Sequence, residues 1–203
     1  MVYQGSLHRL IARLSLLLAA NTGGCDAESP SAVSARSSPS AVVNALPDVS
    51  RKSDAQIEEQ FSLSDPSPSE PVVVGMMFDP PFGGAGDSTE LIVYVRIARA
   101  HYVYAQGDAN STFSAVTMRV QFPVELQAQD DWHFPQAEVD KNGRRVFRDA
   151  VLLRCPVKVA ADALTSSLTV NGQLSCQVCT DELCWPKRSI EVSAPFTIQS
   201  SRR

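Results

Sequence analysis

Three of the five cysteines fall within nine consecutive residues late in the chain, Cys176-Gln-Val-Cys179-Thr-Asp-Glu-Leu-Cys184. The segments on either side limit what they can do. From Leu168 to Val178, apolar side chains recur at Leu168, Val170, Leu174, Cys176 and Val178, the period of two expected of a strand with one buried face. Thr180-Asp-Glu-Leu183 interrupts the pattern with turn chemistry. Beyond Pro186 a patchier alternation resumes at Ile190, Val192, Phe196 and Ile198. This predicts two strands joined by a tight connection, with Cys179 and Cys184 facing each other across it. Five fully extended residues span about 17 Å, whereas the Cα atoms of a disulfide lie about 5.5 Å apart. The turn is therefore what allows the bond.

The same reading extends upstream. Val72–Phe78 is a first strand, and Pro80-Pro-Phe-Gly-Gly-Ala-Gly86 a loop. Leu91, Val93, Val95 and Ile97 alternate cleanly, Tyr102-Val-Tyr104 follows after a break, and Val116, Met118, Val120 and Phe122 give another strand. Residues 123–146 are polar and turn-rich. Phe147–Val159 is predicted as one strand, with Val151, Leu153, Cys155, Val157 and Val159 on one face. About seven short strands separated by turn signals predict an all-β fold, an immunoglobulin-like antiparallel β-sandwich. A chain of 203 residues has room for one such domain plus tails. Its net charge of −4 and scattered Lys and Arg give no basic footprint for nucleic acid.

Residues 1–24 have the pattern of a signal peptide: His8, Arg9 and Arg13 precede the apolar run Leu14–Ala20. The run is too short to span a bilayer. Thr22-Gly-Gly-Cys25 resembles a bacterial lipobox, with Thr22 where leucine is usual, which makes Cys25 a candidate lipidation site and membrane-surface anchor. Residues 25–69 are rich in Ser, Ala, Pro and Asp and poor in large apolar side chains. They read as a disordered tether, with at most a transient helical turn over Ala55–Phe61. The folded domain is expected over 70–203.

Parity assigns two more cysteines. Cys155 and Cys176 both lie on the apolar faces of their strands and are expected as mutual neighbours, either a structural disulfide or two separate buried thiols. Crosslinking them encloses a loop worth roughly 3.4 kcal/mol, against about 2.2 kcal/mol for Cys179–Cys184. The second pair is thus the poorer staple and the better candidate for chemistry. Cys176-x-x-Cys179 also spells a thioredoxin or zinc motif. However, no helical pattern follows it, and an offset of three on a strand sends the two side chains to opposite faces. No metal and no cofactor are therefore expected.

Leu174-Ser-Cys-Gln-Val-Cys-Thr-Asp-Glu-Leu-Cys-Trp-Pro186 resembles the redox motif of the N-terminal periplasmic domain of the disulfide interchange protein DsbD. Ala100-His-Tyr102-Val-Tyr104, Trp132-His133 and Phe147-Arg148-Asp149 are similar to further motifs of that family, in the same order. The resemblance spans roughly residues 70–200. It implies the immunoglobulin-like fold and a periplasmic thiol–disulfide exchange domain. Cys184 would form mixed disulfides with thioredoxin-like redox proteins, and Cys179 would resolve them. It also implies shielding of the pair by Tyr102, Tyr104 and a cap loop within Trp132–Lys141, and Trp185, next to Cys184 in sequence, is a further candidate cover. In that loop Phe134 is the aromatic candidate, and Glu138 or Asp140 would replace acids the family carries where this chain has Phe134-Pro-Gln136. The sequence runs to Arg203 without a thioredoxin domain or membrane carrier, so either separate proteins, a membrane electron donor among them, are expected to supply electrons, or the domain no longer transfers them. Two other readings stay open: a lipid-tethered, non-catalytic binding module with structural disulfides, and a metal-binding surface domain.

Overall fold

The computed structural model describes residues 52–105 and 113–200. The signal-peptide, lipidation and N-terminal tether expectations, Cys25 among them, lie outside these residues up to position 51. A short helix, α1 (Asp54–Glu58), precedes twelve strands. In chain order these are β1 (Val72–Asp79), β2 (Phe82–Gly84), β3 (Ser88–Ile97), β4 (Tyr102–Tyr104), β5 (Thr117–Gln121), β6 (Leu126–Ala128), β7 (Glu138–Val139), β8 (Arg145–Phe147), β9 (Ala150–Val159), β10 (Ser166–Cys176), β11 (Val178–Cys179) and β12 (Arg188–Gln199).

Two four-stranded sheets, β1-β3-β9-β6 and β2-β12-β10-β5, form the immunoglobulin-like sandwich. Their inward faces follow from the alternation in sequence. Leu91, Val93 and Val95 of β3 and Leu153, Cys155 and Val157 of β9 meet Val170 and Leu174 of β10 and Phe196 and Ile198 of β12 in one buried core. Phe78 and Phe196 touch across it, ring centroids 4.8 Å apart. A third sheet, β11-β4-β8-β7, carries Cys179 in β11.

Four details differ from the sequence reading. The loop after Pro80 contains β2, which pairs with β12 in parallel, so the sandwich is not antiparallel throughout. The polar stretch 123–146 holds β6, β7 and part of β8. The single strand expected over Phe147–Val159 is two, β8 and β9, broken at Arg148–Asp149, where Asp149 takes a left-handed φ of 57°. A strand cannot pass through that conformation.

The fourth difference is the tether. Residues 52–69 are part of the fold, so the domain begins before residue 70. Ser53 caps α1 by accepting a hydrogen bond from the Gln56 backbone N–H, while Gln56 Oε1 accepts from the Ser53 N–H in return, a capping box. Ile57 is fully buried, and Phe61 packs on Tyr94 with centroids 5.3 Å apart. Gly75 in β1 makes room for that ring: a Cβ there would sit 2.7 Å from Phe61 Cδ1. Ion pairs Asp54–Arg154, Asp65–Arg96 and Lys52–Asp79 fasten the segment to β1, β3 and β9. As a result β3 is buried on both faces, Ile92 and Tyr94 included.

If this segment is integral, Ile57→Ala should destabilise the domain by about 2–4 kcal/mol, the usual cost of truncating a buried Ile. A loose tether would leave the chemical-denaturation midpoint unmoved.

Candidate functional site

Strand β10 runs into β11 with a change of partner. Through Cys176 it pairs with β12, whereas Val178 and Cys179 pair with Val103 and Tyr102 of β4. Val178 still points into the main core. Cys179, one residue on, faces the opposite way into a second cluster with Tyr102, Tyr104 and Val146. The turn that follows is closed by its own backbone. Thr180 N–H donates to the Leu183 carbonyl at 2.7 Å, and Trp185 N–H to the Val178 carbonyl at 2.9 Å. Thr180 Oγ1 accepts from the N–H groups of Glu182 and Leu183. Cys179 and Cys184 are thereby brought opposite each other as an antiparallel bridge and joined in a disulfide, Cα atoms 4.1 Å apart. Cys179 has no exposed surface, whereas Cys184 is partly accessible.

The side chains around the pair come from β4 and from the β7–β8 hairpin. Tyr102 and Tyr104 are both buried and meet edge to face with centroids 5.7 Å apart. The Tyr104 hydroxyl lies 4.0 Å from Cys184 Sγ. Phe113 stacks on the Tyr104 ring at 4.5 Å; the next residue, Ser114, is tied down by its N–H donating to Gln177 Oε1. The hairpin turns at Asp140–Arg144, with Gly143 in the left-handed region at φ 77°, and aims Arg144 back at the tyrosines. Arg144 donates to the Tyr104 hydroxyl at 2.9 Å and to the Tyr102 hydroxyl at 3.3 Å. Its guanidinium also lies 5.5 Å from the ring centroids of Tyr104 and Phe113. Arg148 covers Tyr102 from another side at 4.8 Å.

Asp140 anchors this arrangement. Its Oδ2 receives the Arg144 Nε–H at 2.7 Å, and its Oδ1 the N–H groups of Asn142 and Arg144. Burial by itself would raise the pKa of this carboxyl, but the hydrogen bonds from Arg144 and the Asn142 backbone outweigh it and hold the group down at about 2. Asp140 is thus a fixed anion and not a proton carrier at neutral pH. Burial pushes Tyr104 up to about 12, with the Tyr102 hydroxyl adding to the rise and Arg144 opposing it. Tyr104 therefore remains a neutral O–H donor.

Of the shielding residues expected from sequence, Tyr102 and Tyr104 are at the pair. Phe134 is not. It stacks on Phe147 at 6.4 Å and packs against the main core, because residues 132–134 are drawn along β9 by the His133–Arg154 backbone pairing. The aromatic beside the tyrosines is Phe113. Trp185 stacks on His101 at 5.5 Å, with about a third of its surface exposed. Glu138 is engaged with Arg148 at 3.7 Å. Arg144 and Phe113 had no signal in the sequence beyond the Asn142-Gly143 turn that positions the arginine.

The expected structural disulfide is not formed: Cys155 and Cys176 are free, buried thiols. Parity sends both inward, but it does not set their place along the strands or which sheet holds them. Cys155 lies within β9 opposite Leu91, with its Sγ 3.7 Å from the Asp130 carbonyl. Cys176 ends β10 in the other sheet, opposite Arg188. Burial, helped by nearby Asp130, Asp131 and Glu90, pushes Cys155 up to about 11. Burial also raises Cys176, against the pull of Arg188. Both thiols are poor nucleophiles at neutral pH.

Because the folded pKa of Asp140 lies below its ordinary 3.8, its contribution to stability is complete above about pH 4 and fades as pH falls toward 2. Thermal unfolding of the native protein and Asp140→Asn should differ most at neutral pH and converge across that window. A constant difference down to pH 2 would contradict the assignment.

No curated protein matches the chain. Among similar solved structures, the reduced Neisseria meningitidis DsbD N-terminal domain is 18% identical, covering 66% of this chain and 94% of that one, with a TM-score of 0.39. The N-terminal periplasmic domain of ScsB from Proteus mirabilis is 14% identical, covering 64% and 49%, with a TM-score of 0.41, so this chain spans about half of its length. The complex of the N. meningitidis DsbD and PilB N-terminal domains gives 18% identity, 67% and 93% coverage and a TM-score of 0.37. The family described as "Thiol:disulfide interchange protein DsbD, N-terminal" matches residues 69–194, well over half of the chain and the whole of the Cys179–Cys184 turn. The chain belongs to this DsbD N-terminal domain family.

Proposed function

We propose that this is an exported thiol–disulfide exchange domain that passes electrons between thioredoxin-like partners through Cys179 and Cys184. The observation that carries the reading is the asymmetry among the cysteines. One disulfide closes a short turn, with one sulfur buried and the other reachable, while the remaining described cysteines are buried thiols. A bond enclosing so few residues constrains the unfolded chain little, so stability alone explains it poorly. Family membership and the signal-like segment at 1–24 support export to the periplasm, where disulfides persist. A lipid anchor at Cys25 and a membrane electron donor complete the proposal.

The exchange balances as follows. A thiolate of a reduced thioredoxin-like donor attacks Cys184 Sγ, the accessible sulfur, and the Cys179–Cys184 bond breaks as the new bond forms. Cys179 leaves as a thiolate and takes up a proton. The donor's second thiolate then attacks its own partner sulfur in the mixed disulfide and releases the Cys184 thiolate. The donor is oxidised to a disulfide, and two electrons now reside on Cys179 and Cys184. Onward transfer repeats these steps in the other direction, with Cys184 attacking an acceptor disulfide and Cys179 resolving the product.

The test is trapping. In cells, Cys179→Ser should accumulate mixed disulfides through Cys184, whereas Cys184→Ser should yield at most a tenth as many, in line with the thiolate dependence of exchange. Equal trapping by both variants, or first labelling of Cys155 and Cys176 on limited reduction, would overturn the reading.

A further inference from the structure

Arginine has five N–H donors and no acceptor. The 2.9 Å contact from Arg144 to the Tyr104 hydroxyl therefore has one polarity only: the phenol oxygen accepts. That leaves the single hydroxyl proton of Tyr104 to be donated elsewhere. Two acceptors are at hand: Tyr102 OH, which also accepts from Arg144 at 3.3 Å and shares a hydrogen bond with Tyr104, and Cys184 Sγ, 4.0 Å from Tyr104 OH. In the disulfide that sulfur is a weak acceptor. When the mixed disulfide is resolved it leaves as an anion, and an O–H to a charged acceptor is shorter and stronger.

We propose that Arg144 is a positioning residue that turns the Tyr104 hydroxyl proton toward Cys184 Sγ, so that the thiolate released at Cys184 is held by a hydrogen bond backed by a fixed positive charge. The proposal rests on the exchange reading above and identifies what makes Cys184 a competent leaving group and nucleophile there. The surroundings are specific to this role. Asp140 holds the far edge of the guanidinium and fixes its plane. The stacked rings of Tyr104 and Phe113 lie against the guanidinium, each centroid 5.5 Å away. Arg148 covers Tyr102, and the Lys141–Asp181 pair, 3.1 Å apart, ties the hairpin to the disulfide turn. The other charged groups around the tyrosines pair among themselves, Arg148 with Glu138 and Lys141 with Asp181, and Arg144, paired with Asp140, is the cation whose N–H reaches the Tyr104 oxygen.

The test follows Cys184 alkylation in the reduced full-length protein as a function of pH, with the labelled site mapped by mass. Arg144→Gln should move the thiolate midpoint of Cys184 upward by about one pH unit, making alkylation about tenfold slower below the midpoint while leaving the rate well above it unchanged. Tyr104→Phe should do the same, Arg144→Lys should recover part of the loss, and the double variant should be no slower than Tyr104→Phe alone. An unmoved midpoint in Arg144→Gln overturns the proposal. So does equal slowing at every pH, which signals altered access, or full additivity in the double variant. If Arg144→Gln does not fold, Tyr104→Phe decides, since it removes one hydroxyl only: an unchanged profile there overturns the proposal as well. Alkylation needs no partner protein, so a Cys179→Ser chain that traps no partners would sink the exchange reading without touching this result.

Discussion

A strand shows alternate residues to opposite faces, so two consecutive residues cannot both be buried against one core. Val178 and Cys179 are both buried because they face two different clusters: the sandwich core on one side, and the small cluster of Tyr102, Tyr104 and Val146 on the other. The site depends on this divided burial. It carries the cysteine out of the main core at the place where the chain leaves β12 for β4, and it holds Cys179 rigid. The turn then folds Cys184 back over the same small cluster, where one sulfur keeps contact with solvent. A cysteine one residue earlier would have pointed into the sandwich. Cys176 shows the result, being fully buried and free.

The electrostatics of the two settings diverge for the same reason. Within the sandwich there is little to stabilise an anion, and burial raises both free thiols above their ordinary range. Beside the disulfide, the hairpin brings an arginine and two phenols to within hydrogen-bonding distance of one another. A carboxylate there is held ionised by the donors that surround it. The thiols in the core are thereby kept weakly acidic, and the Cys179–Cys184 pair is placed beside hydrogen-bond donors.

Much of this was legible in the sequence. Period-two alternation marked β3, β9 and β10 because long strands repeat the signal enough times to be read, and an unbroken apolar run marked β1. The turn at Thr180–Leu183 and the pairing it permits were equally plain. The very short strands β2, β7 and β8 were not, since two or three residues cannot show a period. The 52–69 segment was missed because averaged composition dilutes a few large side chains among many serines. Ile57 and Phe61 dock it together with its ion pairs, and the Ser53-x-x-Gln56 capping box was the local signal available. Parity placed Cys155 and Cys176 on inward faces but could not show that they belong to opposing sheets. Arg144 was invisible for a different reason: its role depends on a hairpin returning it to β4, a long-range pairing that no local pattern encodes.

The account turns on the Cys179–Cys184 bond being one that partners open and close, not a structural clasp. Its reduction potential tests this most directly, measured by equilibrating the full-length protein in thiol–disulfide buffers and mapping the two cysteines at each poise. Exchange-active pairs lie above about −300 mV, and structural disulfides below it. A midpoint well above that value for Cys179–Cys184 is the result predicted here. A midpoint below it would contradict the central claim and leave the bond as a brace for the turn.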